Sequence, residues 1–403
     1  APVTKLPAND WLRAPGLRRI VAALSADGGA AKIVGGAVRD TLLGLAVADI
    51  DLATPLLPDE VMRRLEASGI KVVPTGIAHG TVTAIASGER HEVTTLRRDV
   101  ETDGRRATVA FADDWREDAA RRDFTINALY ADPLTGAVDD WFGGLADLQA
   151  GCVRFIGDAA TRIAEDHLRI LRFYRFAARF GDGDLEPVSH AAVTAARQSL
   201  KSLSRERIAD ELTKILSLPD PRAIVGQMAA DGIFTVILSE LDPAFAAALD
   251  RLLANESAAA AAPASLRRLA ALLPADAAIA DQVASRLRLS TRQRKHLSAI
   301  SAYRHDARPV RQLAHAIGIE AARDARLLGG NESDAKAAVA ALDGWTVPQL
   351  PVRGGDIVAR GIAAGPEVAR ILQGVEAQWV AEDYPDAARV AELVDQMIGR
   401  SSD

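Results

Sequence analysis

The sequence predicts an α+β chain: a small strand-bearing domain over roughly residues 1–150, then a helical remainder. Three observations lead to this. Short β-branched or alternating stretches flanked by turn residues are concentrated before residue 150. Beyond it, apolar residues recur at helical spacing, and abundant alanine favours helix. At 403 residues the chain is also too long for one ordinary core, so two to four domains are expected.

In chain order, "AKIVGG" (31–36), "DIDLAT" (49–54), "IKVVPTG" (70–76), "GTVTAIA" (80–86) and "HEVTTL" (91–96) read as strands. "AVRDTLLG", after Gly35-Gly36, reads as a helix. So does 58–68, with an early proline, acidic residues in the first turn and a glycine at its close. The charged stretch "RRDVETDGRRATVAFADDW" (97–115) reads as a loop. Residues 158–181 carry one helical pattern that stops at Gly181, and 204–217, 263–273 and 365–384 continue the theme. Boundaries fall near 150, 218 and 345, and no fixed-period repeat is present.

Composition narrows the function classes. Apolar residues at 49% and charged residues at 25% are ordinary for a globular protein. No apolar run approaches the roughly 20 residues needed to span a bilayer, and the first residues lack the apolar core of a secretory signal. Cys152 is the single cysteine, which excludes an intrachain disulfide and makes a reducing cytoplasm the simplest setting. A net charge of −6 does not announce a nucleic-acid binder, but the charge is locally uneven.

The chemistry begins with "DID". On a strand, Asp49 and Asp51 would point to one face, about 6.5–7 Å apart. Carboxylates so placed repel unless cations neutralise them, and they suit Mg²⁺. Two such ions can activate a hydroxyl and stabilise leaving pyrophosphate. The plainer reading is an exposed strand edge. Upstream, Gly35 and Gly36 let backbone approach a phosphate at a helix N-terminus. Arg39 falls in the expected first turn, where a cation opposes the helix dipole unless an anion is bound. Taken alone, the glycine pair is a turn.

The stretch "GGAVRDTLLGLAVADIDLAT" resembles the first motif of the bacterial-type (class II) CCA-adding tRNA nucleotidyltransferases and their relatives, the bacterial poly(A) polymerases. "RRDFTINAL" (121–129), "DPLTGAVDDWFGGLADLQAG" (132–151), "EDHLRILRFYRFAARF" (165–180) and "SRERIADELTKIL" (204–216) resemble the next four in order. The resemblance covers roughly residues 31–217 and is looser beyond. It implies a small mixed β-sheet nucleotidyltransferase head (1–150) followed by an elongated all-α neck (151–218), body (219–345) and tail (346–403). It further implies that Arg121, Arg122 and Asp123 contact ribose and phosphates, and that Arg172 and Arg175 contact the base or phosphates. The 97–115 loop would help move specificity from CTP to ATP. For Asp123 the alternative is a cap or local pair, and for the two arginines it is packing of their stems.

Asp166 and Arg169, at i and i+3, would share one helix face. Together they could accept from the amino group and donate to the ring nitrogen of cytosine or adenine, while uracil and guanine reverse that order. The alternative is an intrahelical ion pair. Glu92 is the candidate third carboxylate, if its strand lies beside "DID". Residues 286–311 hold eight basic residues, among them Arg286, Arg288, Arg292, Arg294 and Lys295, against one acid, Asp306. That stripe suits RNA phosphates, although a solvated helix face is the common meaning of a charge run.

The expected function is template-independent addition of C, C and A to the tRNA 3′ end from CTP and ATP, using two Mg²⁺ ions. The alternatives are poly(A), CC-only or A-only addition, or a silent RNA-binding protein. No DNA, membrane or protein partner is implied. "TGIAHGTVTAI" (75–85) is more like the CCA-adding members than the poly(A) polymerases, which tend to carry an arginine-rich stretch there.

Overall fold

The computed structural model describes residues 3–102 and 107–401. The chain divides into two compact units, Ala1–Ile215 with Ala223–Ser239, and Leu216–Arg222 with Glu240–Asp403. All strands among the described residues lie in the first unit, so the α+β reading holds, with a mixed sheet and a helical remainder.

The strands are β1 (Lys32–Val34), β2 (Asp51–Thr54), β3 (Lys71–Gly76), β4 (Thr81–Ala86), β5 (Glu89–Thr95), β6 (Arg97–Thr102), β7 (Ala107–Phe111), β8 (Leu129–Ala131) and β9 (Val138–Asp140). Seven form one sheet in the order β3-β4-β5-β2-β1-β8-β9. Among the described residues only the β2–β5 pair is parallel, with Leu52 opposite Val93. β2 is central, and its apolar run Leu52–Ala53 is accordingly buried while Asp51 at its start is exposed.

Helices α1 (Pro15–Ser25) and α3 (Pro58–Ala67) pack on β3–β5, burying Leu17, Ile20, Leu24 and Leu65 against Val82, Ala84 and Val93. Between them, α2 (Gly36–Leu42) follows β1. The remaining helices of this unit are α4 (Trp115–Ala120), α5 (Gly144–Ala150), α6 (Ala159–Glu165), α7 (Arg169–Phe180), α8 (Pro187–Ala195), α9 (Arg205–Leu216), α10 (Arg222–Ala230) and α11 (Ile233–Ile237).

Three expectations need correction. The stretch 97–115 is not a plain loop: β6 and β7 pair antiparallel, with Arg97 opposite Phe111, while 103–106 lie outside the described residues. Its charge hid the strands, because the two-stranded ribbon pairs outside the main sheet and shows no apolar alternation. Strands β8 and β9 are three residues each, too short for a periodicity to register. The pattern at 158–181 is two helices, broken where Asp166 adopts extended backbone (φ −152°, ψ 106°).

The second unit contains α12 (Phe245–Ala258), α13 (Ser265–Leu272), α14 (Ala277–Arg286), α15 (Thr291–Tyr303), α16 (Val310–Ile317), α17 (Ile319–Gly329), α18 (Glu332–Leu342), α19 (Gly354–Val358), α20 (Pro366–Ala381) and α21 (Ala387–Ser401). One apolar cluster joins Leu313, Ala322 and Leu342, and another joins Ile371, Trp379 and Leu393. A buried ion network crosses α12, α13 and α17. Glu256 accepts from both Arg267 and Arg268 at 2.9 Å, and Arg267 also reaches Asp324 at 2.9 Å. Among the described residues no helix is long and apolar enough to cross a membrane.

Candidate active site

The turn between β1 and α2 opens the site. Gly35 has φ 69° and ψ −124°, a left-handed conformation that side chains resist, and it leads directly into α2. Because α2 has only seven residues, Arg39 is its midpoint, belonging to the first turn and the last alike, so the helix dipole neither opposes nor favours its charge. Arg39 is buried, donates to Asn127 Oδ1 at 2.5 Å and Asp40 Oδ1 at 2.9 Å, and lies over the Phe180 ring at 4.1 Å. Burial pulls its pKa below the ordinary arginine value, against the pull of Asp40.

Asp49 precedes β2 and Asp51 begins it, so the pair is not a regular i, i+2 strand pair as expected. The parallel register of β2 and β5 does bring Glu92 level with Asp51, and both are exposed. Burial of its surroundings, then the charges of Glu92 and Asp49, raise the Asp51 pKa above the usual carboxylate range. Among the described residues no three His, Cys, Asp or Glu side chains already form a metal-ligand set. The backbone between the aspartates is held from β5. His91 Nδ1 donates to the Ile50 carbonyl at 3.0 Å, while its Nε2 faces Glu89 at 3.2 Å. Glu89 in turn accepts from Gly16 N at 2.6 Å, at the start of α1.

The segment after α4 supplies Arg121, Arg122 and Asp123. Asp123 is buried and accepts from Phe124 N at 2.7 Å, Asn127 Nδ2 at 3.0 Å and Arg172 Nε at 2.7 Å. Burial alone would raise its pKa; Arg172 first, then Asn127, hold it down to about 2. Asn127 therefore bridges Arg39 to Asp123, and Asp123 bridges onward to Arg172. Asn127 was legible only as part of "RRDFTINAL"; nothing in its spacing marks it as a bridge.

Asp166 and Arg169 do not share a helix face, because the chain breaks between α6 and α7. Asp166 is held instead by Arg207 of α9, at 3.1 Å on Oδ1 and 2.8 Å on Oδ2. Arg169 donates to Glu165 at 2.7 Å and to the carbonyls of Arg162 at 3.0 Å and Arg121 at 2.9 Å. Three of its five N–H donors are thus engaged and two are left for a ligand. Arg207 was missed: "SRERIADELTKIL" reads as an amphipathic charged helix, with nothing to link it to a residue far upstream.

These groups meet in a cleft of about 480 Å³. Its lining includes Gly35, Gly36 and Phe176, three aspartates (Asp51, Asp123, Asp166) and six arginines (Arg39, Arg121, Arg122, Arg169, Arg172, Arg207). The excess of cations suits a polyphosphate, and the exposed Asp51 lies at the same opening. Arg175 is not in the lining; it makes a two-pronged contact with buried Glu211, at 2.7 and 3.2 Å.

Three of the eight bases in the stripe of the second unit pair with acids from outside its own window. Arg286 binds Glu240 through both nitrogens, and Arg294 binds Asp281 at 2.5 and 2.7 Å. Arg292 lies 3.3 Å from Glu320. Arg304 is buried on the Ala270 and Leu273 carbonyls, at 2.9 and 2.7 Å. Arg288, Arg292 and Lys295 are exposed. The count of eight bases against one acid does not register pairs with acids outside the window, here Glu240, Asp281 and Glu320.

Comparison with known proteins agrees with this geometry. Residues 31–154 match the family model described as the poly A polymerase head domain, and 184–245 match that of a probable RNA and SrmB-binding site of polymerase A. The chain is 33% identical, over 92% of its length and 87% of the relative's, to the mitochondrial CCA tRNA nucleotidyltransferase 1 of Mus musculus. It is 41% identical to the CCA-adding enzyme of Oceanobacillus iheyensis, over 55% of this chain and 53% of that one. The crystal structure of the Bacillus stearothermophilus CCA-adding enzyme in complex with CTP superposes with a TM-score of 0.78 at 26% identity, covering 96% of this chain and 99% of that one. The chain therefore belongs to the CCA tRNA nucleotidyltransferases, a family of nucleotidyl-transferring enzymes.

Proposed function

We propose that this protein adds C, C and A to the 3′ end of tRNA, using CTP and ATP, releasing pyrophosphate and copying no template. One observation carries the reading: a single cleft lined by six arginines also holds Asp51, the Gly35–Gly36 turn and the Asp166/Arg169 pair. The names of the relatives, which include CCA tRNA nucleotidyltransferase and CCA-adding enzyme, point the same way.

In this reading Gly35, Gly36, Arg39, Arg121 and Arg122 bind the triphosphate or sugar. Asp166 accepts from the base amino group while Arg169 donates to the adjacent ring nitrogen, an arrangement that fits cytosine and adenine and sets like against like for uracil and guanine. Asp123 and Asn127 hold Arg172 and Arg39 in place rather than touching substrate. Asp49, Asp51 and Glu92 would supply oxygen donors only, which fit hard cations such as Mg²⁺, and burial first, then the charges of Glu92 and Asp49, raise the Asp51 pKa as expected of carboxylates short of a counter-charge. Divalent metal would supply positive charge at the reacting phosphate. The tRNA would be gripped partly through Arg288, Arg292 and Lys295.

The test is incubation with tRNA trimmed of its last three nucleotides. CTP alone should add two residues, and CTP with ATP should add three and stop. Unlimited A addition would make the protein a poly(A) polymerase instead.

A further inference from the structure

Asp118, in α4, lies outside every role assigned above and is 1% exposed. Its Oδ1 accepts from Arg121 Nε at 3.2 Å and from the Arg97 backbone N–H at 3.0 Å. Its Oδ2 accepts from Arg122 Nη2 at 3.2 Å and from the Tyr130 hydroxyl at 2.5 Å. That hydroxyl accepts in turn from Arg122 Nε at 3.0 Å. One edge of the Arg122 guanidinium is therefore fixed from behind, and Nη1 is turned toward the Gly35 turn, 3.8 Å from where a Cβ on that glycine would lie.

We propose that Asp118 is a positioning residue for the phosphates of the incoming nucleotide: one buried carboxylate sets the orientation of both Arg121 and Arg122 toward the cleft and pins the first residue of the β6–β7 ribbon. This rests on the reading that those arginines hold phosphate. The physical reason is charge balance. Arg97, Arg121 and Arg122 crowd one place, and Asp118 is the anion they share. Burial, then the neighbouring Arg121, lowers the Arg97 pKa to about 10, as expected where cations outnumber anions. Asparagine has the same shape but no charge, and its amide can accept at only one of the two oxygen positions. The arginines would then repel one another and turn from their present orientation.

The experiment compares D118N with wild type for inhibition by pyrophosphate, inhibition by cytidine, tRNA affinity and thermal melting. The expected result is a Ki for pyrophosphate raised about tenfold, the loss of one charge-assisted contact, with cytidine and tRNA affinities unchanged. An unchanged Ki, or equal losses for all three ligands, overturns the proposal. If D118N does not fold, Y130F removes only the bridging hydroxyl. It should raise the pyrophosphate Ki about threefold, less than D118N because the Asp118 charge remains, and no change there overturns the proposal as well. A wild-type protein that fails both to bind pyrophosphate and to extend tRNA would instead remove the functional reading beneath it.

Discussion

Arg207 holds Asp166 through both carboxylate oxygens across 41 residues of sequence, at 3.1 and 2.8 Å. The acceptor side of the proposed base-reading pair is thus set by α9, while the donor side, Arg169, is set by Glu165 and the Arg121 carbonyl. Acceptor and donor are oriented by different parts of the first unit, so each can be disturbed separately.

Replacing Arg207 by Ala should free Asp166 to rotate, lowering kcat/KM for CTP and ATP about tenfold, the worth of one charge-assisted contact. Asp166→Ala should go further and blunt discrimination against UTP. Steady-state kinetics with each triphosphate reads both, and an unaltered CTP-to-UTP ratio in the Asp166 variant would remove it from base reading.

Asp51→Ala should abolish incorporation while leaving tRNA binding within about twofold, because in the proposed reading it removes a ligand of the cation at the reacting phosphate and no contact with the RNA. EDTA should have the same effect on the wild-type protein, reversed by excess Mg²⁺. Single-turnover incorporation alongside filter binding separates the two quantities.

Arg175→Ala should act on stability, not on the nucleotide. It would leave Glu211, whose side chain is 2% exposed, with only the more distant Arg172 at 3.9 Å, and breaking a buried pair costs up to about 3–5 kcal/mol. Urea denaturation should show that loss, with the KM for CTP unchanged.

Acid should weaken the first unit in a defined window. Asp118 and Asp123 have folded pKa values of about 2, against 3.8 for an ordinary aspartate; burial opposes the shift, and Arg122 and Arg172 respectively lead in overcoming it. As pH falls, the unfolded chain takes up each proton first. The stabilisation is therefore complete above about pH 4 and drains away between pH 4 and 2, by about 2 kcal/mol per group. Wild type should lose about that much more than D118N across the window, measured by denaturation at each pH.

In the second unit, Arg292→Ala and Lys295→Ala should each weaken tRNA binding and reduce the log–log salt slope by about one, since Arg292 is 87% exposed and its 3.3 Å contact with Glu320 is screened by solvent. Arg286→Ala and Arg294→Ala should leave the slope unchanged, because Glu240 and Asp281 already occupy those charges. Binding isotherms from low to moderate salt distinguish the two pairs.

Much of this molecule follows from local sequence. Gly35 marks the turn that only a glycine adopts comfortably, the alternating stretches before residue 100 become β1 to β5, and Gly181 ends α7 as its position implies. Ordered motifs bring Gly35, Gly36, Arg39, Asp51, Arg121, Arg122, Asp123, Asp166, Arg169 and Arg172 into one cleft. The partners of those groups were not legible. Backbone conformation and apolar period are written into neighbouring residues, whereas an ion pair depends on which distant side chain the packing delivers. Tertiary structure alone decided that Asp166 meets Arg207, that Arg175 meets Glu211, and that Arg286 and Arg294 pair with Glu240 and Asp281.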